Sequence, residues 1–163
     1  MCAQARPQQR GGLITEGVRS FDPDALARLR KARGLSLDAL GERVGRARPN
    51  LIKWESGTEP PSPPKLAELA RALEVDPWEL TRVRPQAAEL EDLRVWAGLT
   101  RRDLAARAGI RRPTYSEIER GSAPLSREAA AALAAAMGCD VARVERAYRR
   151  VSRRASAKPI VST

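Results

Sequence analysis

"GRARPNLIKWESG" runs from Gly45 to Gly57, and "GIRRPTYSEIERG" runs from Gly109 to Gly121. Both stretches open and close on glycine, carry an Arg-Pro pair at the same place and end in glutamate-x-glycine. Sliding the chain by 64 places aligns residues 24–80 with 88–144 without a gap. Leu26/Leu90, Leu29/Leu93, Arg30/Arg94, Gly34/Gly98, Leu40/Leu104, Pro49/Pro113, Glu55/Glu119, Leu69/Leu133 and Asp76/Asp140 all coincide. A gapless match of this length is an internal repeat, so the 163 residues divide into two small units.

Each copy reads as five short helices. Asp22 is placed to cap the first, with Pro23 at the favoured first helical position and Gly34 as its C-cap. Ser36 and Thr100 are placed to cap the second helices, and the small Gly41 and Ala105 allow close helix crossing before the turn glycines Gly45 and Gly109. The third helices then run to Gly57 and Gly121. Leu66, Leu69, Ala70 and Leu73, and likewise Ala130, Leu133, Ala134 and Met137, recur at helical spacing and form the core stripes of fourth helices. Fifth helices are expected after Asp76 and Asp140. The connecting "TRVRPQA" of residues 81–87 reaches at most about 24 Å, so the copies must be neighbours.

Composition agrees with an all-α chain. Apolar residues make up 42% but aromatics only 4%, and Ala and Leu dominate over the β-branched and aromatic residues of strands. No apolar run is long enough for a membrane span, and "MCAQARPQQRGG" lacks the apolar centre of a signal peptide, so a cytoplasmic location and no membrane partner are expected. The chain has no histidine, and its two cysteines, Cys2 and Cys139, lie far apart, which argues against a zinc site or a disulfide framework. With no histidine base, no phosphate-binding glycine loop and no carboxylate cluster in an apolar setting, neither an enzyme nor a cofactor is expected.

The net charge of +10 suggests a polyanionic partner. Residues 22–80 hold ten basic and ten acidic side chains, and residues 86–148 hold ten and nine, so the surplus lies outside the units. It comes from Arg6, Arg10 and Arg19 at the start, Arg82 and Arg84 in the linker, and Arg149, Arg150, Arg153, Arg154 and Lys158 at the end. Arg6 and Arg10 have two readings, minor-groove contacts or solubilising charge. The sequence thus divides into a basic flexible arm (1–21), a first unit (22–80), a linker (81–87), a second unit (88–150) and a basic disordered tail (151–163).

The ordered succession of capped helix, small residue, turn glycine, glutamate-x-glycine ending and apolar fourth helix, present twice, resembles the lambda-repressor and Cro-like helix-turn-helix family, the xenobiotic-response-element (XRE) type. The resemblance covers residues 24–80 and 88–144 and implies two tandem five-helix DNA-binding domains, each with a third helix that enters the major groove. The first turn of such a helix points its side chains at base edges and its amides at phosphate. Carried onto this sequence, the base-facing positions are Arg48, Pro49, Asn50 and Lys53 in the first copy and Arg112, Pro113, Thr114 and Glu117 in the second. Arg46 and Arg111 lie just before these helices. Arginine can grip guanine, asparagine adenine, and glutamate can accept from cytosine, so the two helices are expected to read different half-sites.

Arg30 with Glu55, and Arg94 with Glu119, resemble the family's salt bridge between first and third helices. Leu51, Trp54, Tyr115 and Ile118 are expected to face the core, with Trp96 beside them. Where the family has a phosphate-holding glutamine at the start of the second helix, this chain has Leu37 and Arg101; Arg101, with Arg102 beside it, is expected to take that role. Leu37 and Ile52 are expected to be exposed on the DNA side, against thymine methyls or a protein.

The resemblance implies a transcription regulator, a repressor among the candidates, that binds operator or promoter DNA. The excess of arginine over lysine, 26 to 4, suggests a bacterial, plasmid or phage gene of high GC content. Trp78, Leu80, Val141, Val144 and Tyr148 have two readings: an intramolecular pseudo-dimer through the fifth helices, or closure of each unit's own core. A homodimer of two chains also stays open. The alternative function is protein interaction, as in an antitoxin or an RNA-polymerase-binding adaptor, with the second copy docking a protein.

Overall fold

Asp22 starts the first helix as its composition demands: Oδ1 accepts from the amides of Asp24 (3.1 Å) and Ala25 (3.3 Å), and Pro23 follows. The computed structural model describes residues 16–157. Within them the first copy contains α1 (Pro23–Ala32), α2 (Leu37–Arg43), α3 (Arg48–Glu55) and α4 (Pro63–Leu73), and then a short 3₁₀ turn, Pro77–Leu80. A second 3₁₀ turn, Pro85–Ala87, belongs to the linker. The second copy contains α5 (Leu90–Trp96), α6 (Arg101–Arg107), α7 (Arg112–Arg120), α8 (Arg127–Met137) and α9 (Val141–Ser156). No strand longer than an isolated antiparallel bridge, Phe21 with Thr81, occurs among the described residues.

The fifth elements differ between copies. Asp140 caps α9 through the Arg143 amide (2.7 Å), and Val144, Ala147 and Val151 form its buried stripe. After Asp76 the first copy makes only the four-residue turn Pro77–Leu80, rather than the expected fifth helix. The chain is drawn into an extended path there: the amide of Asp22 donates to Leu80 O (2.9 Å), that of Arg82 donates to Ser20 O (2.8 Å), and Pro85 holds Arg84 extended.

Each copy has its own core. Leu26, Leu40, Leu51, Trp54, Leu66, Leu69, Leu73 and Leu80 fill the first, and Leu90, Leu104, Tyr115, Ile118, Leu133, Val144 and Ala147 fill the second. Leu80 and Val144 therefore close their own units, with Val141 and Tyr148 packed on the second core. Helix α9 lies on α5, α7 and α8, and the Pro77–Leu80 turn lies on α1 and α4. The main packing between the copies does not run through the fifth elements.

The joint lies elsewhere. Helix α4 of the first copy packs on α5 of the second, and Val95 from α5 is buried in the first copy's core. Trp96 packs against both cores, and its indole N–H donates to Thr81 Oγ1 (3.2 Å). Gly98, with φ of +70°, ends α5 so close to α4 that a Cβ there would stand 2.8 Å from the Ala67 Cβ. Burying Val95 across this joint contributes about 1.5–3 kcal/mol on transfer grounds.

The two ends differ from the sequence reading. Val18 and Phe21, assigned to the arm, are buried, and the Val18 amide donates to Pro61 O (2.9 Å). Residues 151–156, assigned to the tail, continue α9, and Val151 is buried. Arg6, Arg10 and Lys158 lie outside the described residues.

Candidate nucleic-acid interface

The two helix hairpins are set by matching backbone bonds. In the first, the Arg46 amide donates to Gly41 O (2.8 Å); in the second, the Ile110 amide donates to Ala105 O (2.9 Å). A Cβ at Gly41 would collide with the Arg46 carbonyl, which is the close approach that the small residue permits. Ser36 Oγ and Thr100 Oγ1 accept from the Ala39 amide (3.0 Å) and the Asp103 amide (3.1 Å), capping α2 and α6 as expected. By contrast, α3 and α7 start at Ala47 and Arg111 with no side-chain cap. Pro49 and Pro113 have no amide N–H to satisfy, and no side chain caps the first turn at the positive end of either helix.

An ion pair fixes each third helix to the first helix of its copy. Arg30 donates Nε to Glu55 Oε1 (2.5 Å) and Nη2 to Oε2 (2.9 Å), while Nη1 reaches Leu35 O (2.7 Å). The second copy repeats this through Arg94: Nε donates to Glu119 Oε1 (2.7 Å) and Nη1 to Leu99 O (3.0 Å). Such a bidentate or forked arrangement fixes angle as well as distance. Leu51, Trp54, Tyr115 and Ile118 are all buried beneath the third helices.

The second lock is larger and drier. The Arg94 and Glu119 side chains are 1% and 2% exposed, and the Tyr115 hydroxyl donates to Glu119 Oε1 (2.9 Å). Arg101 donates Nε to the other oxygen of Glu119 and pairs with Glu16 and, more loosely, with Glu91 (3.7 Å). Burial pushes the Glu119 carboxyl up, but the charges and hydrogen bonds of Arg94 and Arg101 outweigh it and hold the group below the usual glutamate range. Burial, reinforced by the Glu119 charge, pushes the Tyr115 hydroxyl well above its ordinary range. Every buried side-chain polar atom among the described residues has a partner.

Around these locks lie the residues expected to meet DNA. Arg46, Arg48, Pro49 and Lys53 are exposed and Asn50 is half-buried at the start of α3. Arg102, Arg111, Arg112, Pro113 and Glu117 are exposed and Thr114 is half-buried around α7. Arg101 departs from its expected role as a phosphate contact: its guanidinium is turned toward Glu119, Glu16 and Glu91, because a buried carboxylate needs a second cation there. Ile52 is 47% exposed on α3, whereas Leu37, expected beside it, packs partly on the first core.

Two contacts at this face have no counterpart in the sequence reading. Arg48 Nη1 donates to Asp38 Oδ2 (3.1 Å), and Lys53 Nζ donates to Glu59 Oε2 (3.2 Å). Arg46, Arg102, Arg111 and Arg112 form no ion pair among the described residues. No cluster of three metal-ligating side chains occurs among them, and none of their helices is long and apolar enough to cross a membrane.

Comparison with known proteins places these hairpins. A helix-turn-helix domain model matches residues 24–83, and a second helix-turn-helix model matches residues 90–151. No curated protein and no solved structure matches the chain.

Proposed function

Because the chain carries two helix-turn-helix domains in tandem, the second of the XRE type, and such domains bind DNA, we propose that it is a sequence-specific, double-stranded DNA-binding transcription regulator with two unlike reader helices. The observation that carries this reading is the shared geometry of α3 and α7. Each is locked by an Arg–Glu pair, part-buried in the first copy and buried in the second, while its first turn carries different side chains and no side-chain cap. Arg48, Asn50 and Lys53 form one reading edge, and Arg112, Thr114 and Glu117 form the other. Arg46, Arg102 and Arg111 flank these edges as phosphate contacts, and base contacts supply selectivity.

The joint supports a fixed pair of readers rather than two units on a free tether. It sets the fourth helix of one copy against the first helix of the other, a head-to-tail contact. Readers related in this way suit an operator without inverted-repeat symmetry. Selection of binding sequences from a random duplex pool tests the proposal: recovery of one composite, non-palindromic site supports it, and failure to enrich any sequence contradicts it.

A second reading, protein docking as in an antitoxin or an RNA-polymerase-binding adaptor, draws on two observations. Ile52 offers an exposed apolar side chain on α3, and Glu117 puts a carboxylate at a reading position of α7. The enrichment experiment separates the two readings.

A further inference from the structure

The 64-residue register places Asp38 of the first copy opposite Arg102 of the second, Lys53 opposite Glu117, Glu59 opposite Ala123, and Ala47 opposite Arg111. These equivalent places at two equivalent hairpins differ in charge, as do Arg46 and Ile110. Of Arg46, Arg48 and Lys53 in the first copy two are already paired, Arg48 with Asp38 and Lys53 with Glu59, and Arg46 has no carboxylate. In the second copy Arg102, Arg111 and Arg112 all stand without an ion pair among the described residues. The first copy pairs most of its edge cations with its own carboxylates, whereas the second leaves three cations unpaired against the single carboxylate Glu117 on its reading edge.

Resting on the DNA-binding reading above, we infer that the two domains divide the work: the second anchors the protein to the phosphate backbone, and Asp38 and Glu59 make the first a selective reader. The physical chain is short. Phosphate binding releases counterions and scales with the number of available cations, so paired cations contribute less of this sequence-independent affinity. Exposed ion pairs are weak, and both members of each pair here are more than half exposed, so a well-placed base edge can displace the carboxylate. A random sequence offers no such compensation, and near its phosphates the two carboxylates are repelled. Asp38 and Glu59 therefore act as specificity-determining residues by opposing the wrong DNA more than the right one.

The test uses the full chain, a random-sequence duplex, and the duplex that the wild-type protein enriches from a random pool, each titrated over a range of salt. The double variant Asp38→Asn, Glu59→Gln is expected to bind the random duplex about 3- to 10-fold more tightly, with a salt slope steeper by about one to two, and to gain less on the enriched duplex. The double variant Arg102→Gln, Arg111→Gln is expected to weaken both duplexes about equally, with a slope shallower by about two. All four side chains are exposed, and unchanged circular dichroism and melting temperature establish that each variant is folded. Sequence-selective binding by wild type, with both slopes and the selectivity ratio unaltered in the acidic-pair variant, overturns the division of work while leaving the DNA reading standing. Absence of selective binding by wild type overturns both.

Discussion

Arg94 Nε donates to Glu119 Oε1 at 2.7 Å with both side chains almost wholly sealed from water, and Arg30 with Glu55 repeats the bond in a wetter setting. The same device thus has unequal weight in the two domains. Arg94→Met is expected to destabilise the second domain by about 3 kcal/mol, because the buried Glu119 carboxylate keeps only Arg101 of its two cations, while Arg30→Met costs less. Urea unfolding of each variant, followed by circular dichroism, measures the difference.

The Glu119 carboxyl also sets an acid limb. Its pKa is held below the ordinary glutamate value, so its stabilisation is complete above that value and is lost as the pH falls through the lowered one. Asp92 and Glu89, pushed up by burial, act in the opposite sense: their stabilisation is present at low pH and fades as the pH rises through their raised values. Measured against pH below the ordinary glutamate range, the stability of Glu119→Gln is expected to fall less steeply than that of wild type.

At the joint, Gly98→Val places a branched side chain at positive φ against Ala67. The expected cost is about 2–4 kcal/mol, and the two domains, expected to melt together in wild type, should separate into two transitions. Differential scanning calorimetry distinguishes one peak from two. The milder Trp96→Phe removes the bond to Thr81 and part of the ring that packs on both cores, and is expected to cost about 1–2 kcal/mol.

Val151 decides where the second domain ends. It is buried on the inner face of α9, so Val151→Ala is expected to lower stability by about 1–3 kcal/mol, whereas Arg153→Ala, exposed on the same helix, should change it by less than about 0.5 kcal/mol. Thermal melts of the two variants check the contrast.

Much of this was legible in the sequence because the repeat wrote it twice. Gly41, Gly45 and Pro49, like Ala105, Gly109 and Pro113, are local signals tied to backbone geometry, and the Arg30–Glu55 and Arg94–Glu119 pairs followed from the family resemblance. The missed features are those that depend on three-dimensional neighbours. Val95 sits on a repeat-equivalent core helix, yet it is buried in the other copy, which no periodicity within one unit reveals. Arg101 looked like a phosphate contact until Glu16, 85 residues earlier, and Glu119 converged on it. The fifth helix of the first copy was expected from Asp76-Pro77, but the bridge of Phe21 to Thr81 competes for the chain immediately after Leu80.

Arg48 and Arg112 are exposed at the starts of their helices, so replacing both with alanine is expected to leave the fold intact while removing about 1–3 kcal/mol of base discrimination at each half-site. Mobility-shift titration on the enriched duplex, compared with the random one, reads that loss directly.

The central claim is that both reader helices engage DNA from one chain, and a methylation-protection footprint on the enriched duplex tests it most directly. Two adjacent, non-identical protected major-groove stretches are expected, one lost in Arg48→Ala and the other in Arg112→Ala. A single protected stretch that survives either substitution, or no selective protection at all, would contradict the account.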